Sequence, residues 1–202
     1  EHLESIFLFA TVWSIGGSTD SSGRDKFNTF LRALIKNEVQ ASEDRTDYDL
    51  GPGVEIKPPG GTLKSAFPKE GSVYEYAFDT ARGGWNHWLD TVSVEAIPPD
   101  AQYHQIVVTT VDTVRYKALL EMLLLRERHV MFGGPTGTGK TVYIKDLLEG
   151  LDATKFQSIQ STFSAQTNAN MIQDIIDSKL DKRRKGIYGP PFGQKCVVFV
   201  DD

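Results

Sequence analysis

Cysteine is nearly absent. Cys196 stands alone, so no disulfide can form within the chain, and its place in the apolar run Cys196 to Val200 reads as an inert core thiol of a reducing compartment. No apolar stretch reaches the roughly 18 to 20 residues of a membrane span. No cleavable leader opens the sequence, so a soluble cytosolic chain with no membrane partner is the expectation. Excess positive charge is lacking too. Lys+Arg number 22 against 27 Asp+Glu, and a net charge of −5 leaves no basic footprint, so no nucleic-acid partner is expected. Histidine is scarce, and His87 has no Cys or His at ligand spacing, which argues against a metal role. What is present, 202 residues with 40% hydrophobic content, suffices for one to two domains with a real core.

One stretch organises the rest. Gly134-Pro135-Thr136-Gly137-Thr138-Gly139-Lys140-Thr141 matches the full pattern Gly-x-x-x-x-Gly-Lys-[Ser/Thr]. Before it, His129 to Gly133 reads as a short buried strand; after it, Val142 to Glu149 reads as a helix stopped by Gly150. Strand, glycine loop and helix make a phosphate cradle. Residues without bulk let backbone N–H groups converge on a β-phosphate, and the helix N-terminus adds its positive dipole end. Lys140 is then placed for the β- and γ-phosphates, and the Thr141 hydroxyl for magnesium. The plain structural alternative is a glycine-rich turn between a strand and a helix.

Further on, the run Cys196 to Val200 reads as a parallel strand covered on both faces, ending in Asp201-Asp202. A carboxylate at the C-terminal end of such a strand sits where open α/β sheets bind ligands, so Asp201 reads as the Walker B acid that holds magnesium. Asp202 occupies the position where many such ATPases place a glutamate to polarise water. Aspartate is one methylene shorter, and proton abstraction depends on reach before pKa. A solvated strand end is the bland alternative for the pair.

Elsewhere the chain opens with two helices. Leu3, Ile6, Phe7, Ala10 and Trp13 mark the first, ending at Gly16-Gly17, and Phe27, Phe30, Leu31, Leu34 and Ile35 stripe the second. Two helices bury too little surface to stand alone, so they need a neighbour. Between residues 40 and 101, Pro52, Pro58, Pro59, Pro68, Pro98 and Pro99 favour extended and turning segments, with strand-like composition at Val73 to Phe78 and Val92 to Ile97. Trp85 and Trp88 read as packing residues there. After a short extended run Ile106 to Thr110, a largely buried helix is expected from about Asp112, its N-cap, to Arg128. Phe156 to Phe163 reads as a second strand. Thr167 is the expected cap of a helix carrying Met171, Ile172, Ile175, Ile176 and Leu180, which runs into Lys182-Arg183-Arg184-Lys185. Those cations read as a solvated helix end complementing its dipole, or else as a contact surface for an acidic partner or neighbouring subunit.

Thr110-Val111-Asp112-Thr113-Val114-Arg115-Tyr116, the block Gly133 to Thr141, and Phe163-Ser164-Ala165-Gln166-Thr167 together resemble the AAA+ modules of dynein heavy chains. So do Ser178 to Gly186, Tyr188-Gly189-Pro190-Pro191 and Val198-Phe199-Val200-Asp201-Asp202. The set is similar to the third module of the ring in an axonemal dynein, more like the inner-arm than the outer-arm type. Residues 1 to about 100 resemble the end of the second module and the connection onward. The resemblance implies an α/β fold, a P-loop NTPase (AAA+) large subdomain that stops after the Walker B strand, preceded by helical and loop/strand-rich segments. It implies domains at 1–38 (helical), 39–105 (connecting) and 106–202 (nucleotide-binding).

It further implies ATP or ADP with Mg2+, held by Gly134 through Thr141 and Asp201, with Ile106 to Asp112 near the adenine. Implied partners are the other AAA+ modules of the same heavy chain, microtubules through the rest of the motor, and intermediate and light chains, in the cytoskeleton of the ciliary or flagellar axoneme. AAA+ sheets run in the order 5-1-4-3-2. The strand between the loop strand and the Asp201 strand, the polar sensor, the arginine finger and the lid are therefore expected beyond residue 202, and the isolated chain is expected to bind nucleotide poorly. Two functions stay open: an ATPase in which Asp202 orients water, with Lys140 positioning the phosphates, or a module that holds nucleotide as a switch without turnover. A small-molecule kinase is the weaker third.

Overall fold

The computed structural model describes residues 2–36, 66–93 and 109–201. These divide into two compact units, Glu1–Val114 and Arg115–Asp202.

In the first unit, α1 (His2–Ser14) ends in a single 3-10 turn at Gly16–Ser18, and α2 (Ser21–Ile35) follows. Asp20 starts α2 by accepting the Gly23 N–H at 2.7 Å, an N-cap that satisfies one orphan donor of the first turn. The neighbour the two helices need is the segment 66–93. There Ser72 and Glu75 form a capping box around the turn Val73–Glu75, and β1 (Tyr76–Asp79) pairs antiparallel with β2 (Gly84–His87). Leu8, Val12, Leu31, Phe67, Val73 and Tyr74 form one core, with Trp13, Phe27, Ile35, Tyr76 and Trp85 packed against it. Trp88 is buried, and its indole N–H donates to the Tyr74 carbonyl at 3.0 Å, the partner a buried indole requires.

Two expectations change here. The buried face of α1 is Ser5, Leu8 and Val12, while Leu3 and Phe7 are 81% and 68% exposed. The helix is apolar around most of its circumference, so periodicity left its phase undetermined. The stretch Val73 to Phe78 is a strand only from Tyr76, because the capping box closes Val73–Glu75 into a turn. Of the expected strand Val92 to Ile97, the part beyond Ser93 lies outside the described residues, as do Ile106 to Val108.

The division between units falls within α3 (Val111–Leu124), after its first turn. Its cap is Thr110, whose Oγ1 accepts the Thr113 N–H at 3.2 Å, in place of the expected Asp112. Val114 and Leu120 are buried, whereas Met122, Leu123 and Leu125 are more than a third exposed, so the helix is buried along one face only. It also stops at Leu124, short of Arg128, with Glu127 in left-handed backbone (φ 58).

In the second unit, α4 (Lys140–Gly150) follows the glycine loop. Next come β3 (Phe156–Thr162), α5 (Ala169–Lys179), β4 (Asp181–Arg184), β5 (Ile187–Gly189) and β6 (Lys195–Asp201). β3 and β6 pair in parallel, with Ile159 beside Val198 and Thr162 beside Asp201. The expected strand His129 to Gly133 carries no ladder. Among the described residues no strand pairs with it, and Met131 is 91% exposed. β6 likewise has β3 as its one described partner, and Val198 and Val200 are nearly half exposed rather than covered on both faces. Asn168, not Thr167, caps α5, accepting the Met171 N–H at 3.0 Å; Thr167 Oγ1 instead accepts the Ser164 N–H at 2.8 Å.

The basic run is no helix end. Leu180 turns extended, and Asp181–Arg184 forms a hairpin with Ile187–Gly189 across Gly186, whose φ of 75° suits a residue without Cβ. Arg183 fastens it by donating to the Pro190 carbonyl at 2.6 Å.

Candidate functional site

The geometry converges on the start of α4. Gly139 is its N-cap in left-handed backbone (φ 81), with no side chain capping the first turn, so the leading N–H groups remain for an outside acceptor. Gly139 has a second reason to be glycine: a Cβ there would stand 2.9 Å from the Tyr143 hydroxyl oxygen. Gly137 is left-handed as well (φ 82), and a Cβ on it would meet nothing within 4 Å.

The loop is closed by its own side chains. Lys140 Nζ donates to the carbonyls of Gly134 at 3.0 Å and Pro135 at 2.6 Å, and Thr138 Oγ1 donates to Pro135 at 3.0 Å. Tyr143 donates its hydroxyl to the Thr138 carbonyl at 2.8 Å. Gly134, Pro135, Thr136, Gly137 and Thr138 are exposed, while Gly139, Lys140 and Thr141 are half-buried.

Across from the loop, Thr141 Oγ1 donates to Asp201 Oδ1 at 2.9 Å, although the two stand 60 residues apart in the chain. Asp201 is the last residue of β6, and its carbonyl accepts the Phe163 N–H at 2.7 Å, so its backbone is anchored just past β3. The structure therefore brings Lys140, Thr141 and Asp201 together around one loop. Asp202 lies outside the described residues.

Supports around the site escaped sequence reasoning. Tyr143 stacks on Tyr116 of α3 at 6.4 Å, and Tyr116 meets Phe132 edge-on at 6.1 Å. Lys117 of α3 pairs with Asp146 of α4. At the other end of β6 from Asp201, Lys195 donates to Glu127 at 2.6 Å and holds that carboxyl below its ordinary range. Tyr143 sits in an ordinary helical stretch, and no spacing rule marks it. Partial burial pushes the Cys196 thiol above its ordinary range, away from the reactive thiolate.

A profile described as the P-loop containing dynein motor region matches residues 95–202, and one described as the dynein heavy chain AAA lid domain matches residues 1–90. The chain belongs to the dynein heavy chain family. Along its whole length this dynein chain is similar to dynein axonemal heavy chain 12 of Rattus norvegicus, 39% identical over 204 residues. It is also similar to dynein axonemal heavy chain 1 of Homo sapiens, 38% identical over 218 residues and again 100% of this chain. Dynein axonemal heavy chain 3 of Mus musculus is 40% identical over 203 residues, 99% of this chain. The chain spans only 5% to 6% of the length of these relatives. The α/β P-loop class expected of the chain is that of the matched motor region, and the loop with its Asp201 falls inside it.

Proposed function

We propose that Gly134 through Thr141 bind ATP or ADP with Mg2+ and that the site hydrolyses ATP slowly, as the third AAA+ module of an inner-arm-type axonemal dynein. The observation that carries this reading is the 2.9 Å hydrogen bond from Thr141 to Asp201 beside an uncapped helix N-terminus. A hydroxyl and a carboxylate are hard oxygen donors of the kind magnesium takes, and an ammonium with free N–H groups suits a phosphate chain, so the residues present fit both groups. Bound magnesium would supply neutralisation of charge developing on the β- and γ-phosphate oxygens.

Each residue then has a task. Lys140 exchanges its carbonyl partners Gly134 and Pro135 for phosphate oxygens and steadies their charge. Thr141 and Asp201 hold the metal position, and the N–H groups of α4 and of the loop hold the β-phosphate. Asp202 orients water from one methylene further back than a glutamate, which makes turnover slow. That shorter reach also favours the second reading, in which the module keeps its nucleotide as a structural switch with negligible hydrolysis.

The proposed organisation is a helical segment at 1–38, a connecting region at 39–105 and a nucleotide-binding part at 106–202. The proposed setting is the ring of one heavy chain in the ciliary or flagellar axoneme, where the nucleotide state of this module regulates movement on microtubules. Neighbouring modules, intermediate chains and light chains are the proposed partners.

Asp201→Asn and Thr141→Val, made in the complete motor domain with the other nucleotide sites disabled, test the assignment. Each should weaken magnesium-dependent ATP binding at least about tenfold while leaving metal-free binding nearly unchanged. Equal loss with and without magnesium would refute it.

A further inference from the structure

The hydroxyl of Tyr143 donates to the Thr138 carbonyl at 2.8 Å, from one turn inside α4 back onto the loop that precedes it. Nothing in the loop pattern asks for a tyrosine at this position. Every described peptide bond is trans, and in a trans peptide the C=O and N–H point in opposite directions. Anchoring the Thr138 oxygen toward Tyr143 therefore fixes the Gly139 N–H away from it, the side left for an anion. The contact is close enough that a Cβ at residue 139 would stand 2.9 Å from the hydroxyl.

The ring that carries this hydroxyl is itself braced. It stacks on Tyr116 at 6.4 Å with 29° between the ring planes, and Tyr116 meets Phe132 edge-on at 6.1 Å. Three stretches, α3, the segment leading into the loop, and α4, thus share one aromatic column that ends on a loop peptide. Offset and edge-on pairs of this kind add to the burial of their area, which makes the column a stiff support rather than an incidental contact.

We propose that Tyr143 is a positioning residue for the phosphate loop, holding the Thr138–Gly139 peptide in the orientation that presents the Gly139 N–H to the β-phosphate. The inference rests on the reading of the loop as a nucleotide site. It goes beyond that reading by assigning a role outside the Gly-x-x-x-x-Gly-Lys-Thr pattern. One hydrogen bond of this class is worth about threefold to tenfold in an equilibrium constant.

The test is competition binding of ATP, ADP and AMP in the complete motor domain with the other nucleotide sites disabled, comparing Tyr143→Phe with Lys140→Ala. Tyr143→Phe keeps the stacked ring and removes only the hydroxyl. It should weaken ATP and ADP about threefold to tenfold and leave AMP, which has no β-phosphate, within twofold. Tyr143→Leu, which also removes the ring, should weaken ATP further and lower the unfolding temperature of the domain. If Lys140→Ala abolishes binding while Tyr143→Phe changes nothing, or weakens AMP as much as ATP, the positioning role is overturned and the site stands. Should Lys140→Ala leave binding intact, the site reading itself fails and the role of Tyr143 with it.

Discussion

The two units differ in what they ask of their surroundings. The first packs a core within itself, with Val12, Val73, Tyr74 and Trp88 all 3% exposed or less and aromatic pairs such as Trp13 with Tyr74 at 5.6 Å crossing between elements, although Leu3 and Phe7 of α1 stay exposed. The second carries the glycine loop and Asp201, and it buries fewer apolar side chains, with Val198, Val200, Met131 and Phe192 exposed. A lid-like unit can be stabilised locally. The parallel pair β3 and β6 is different, because parallel strands are ordinarily covered on both faces and paired on their edges before their apolar residues are satisfied. The geometry at Thr141 and Asp201 thus rests on local contacts, whereas the apolar residues of β3 and β6 are only partly covered among the described residues.

The sharpest break of this contrast is Trp88→Ala. It removes a buried indole and its hydrogen bond to Tyr74, and should cost the first unit about 3 to 5 kcal/mol in chemical denaturation followed by a probe within residues 1–93. Next is Arg32→Met. This guanidinium bonds Asn28, the Pro68 carbonyl at 2.7 Å and the Gly71 carbonyl at 2.9 Å, tying α2 to the segment that covers it; its loss should cost about 1 to 3 kcal/mol by the same measurement. Phe192→Ala, by contrast, alters a side chain 95% exposed and should shift stability of the second unit by less than about 0.5 kcal/mol.

The smallest expected effect is electrostatic. The Thr154 hydroxyl and N–H, with Lys155 beside them, hold the Asp152 carboxyl down to about 2 from its ordinary 3.8. A folded value below the unfolded one means the contribution is complete above 3.8 and disappears as pH falls through about 2. An NMR titration should place the Asp152 midpoint near the lower value, and Thr154→Val should return it toward the ordinary one.

The loop was the most legible feature in its geometry: the pattern fixes a glycine at 139, where the backbone is left-handed, and a lysine and a threonine at the start of α4. β6 was legible from its apolar run Cys196 to Val200. What failed had physical causes. α1 is apolar nearly all round, so its inward face was set by the partners at Val73 and Tyr74 rather than by its own pattern. Lys182, Arg183, Arg184 and Lys185 are good helix formers, yet the Arg183 bond to Pro190 and the left-handed Gly186 turn them into a hairpin. Thr167 and Asn168 are adjacent cap residues, and only the Ser164 turn decides between them. The strand expected at His129 to Gly133 depends on hydrogen-bond partners that no local pattern supplies.

The most direct measurement is single-turnover hydrolysis of radiolabelled ATP by the complete motor domain, with the other nucleotide sites disabled and Lys140→Ala as the control. Near-stoichiometric ATP retention followed by slow conversion to ADP is expected, both lost in Lys140→Ala. Retention without any conversion would favour the switch reading over the ATPase. Failure to retain nucleotide, or retention untouched by Lys140→Ala, would contradict the central claim that the Gly134 to Thr141 loop and Asp201 form one nucleotide site.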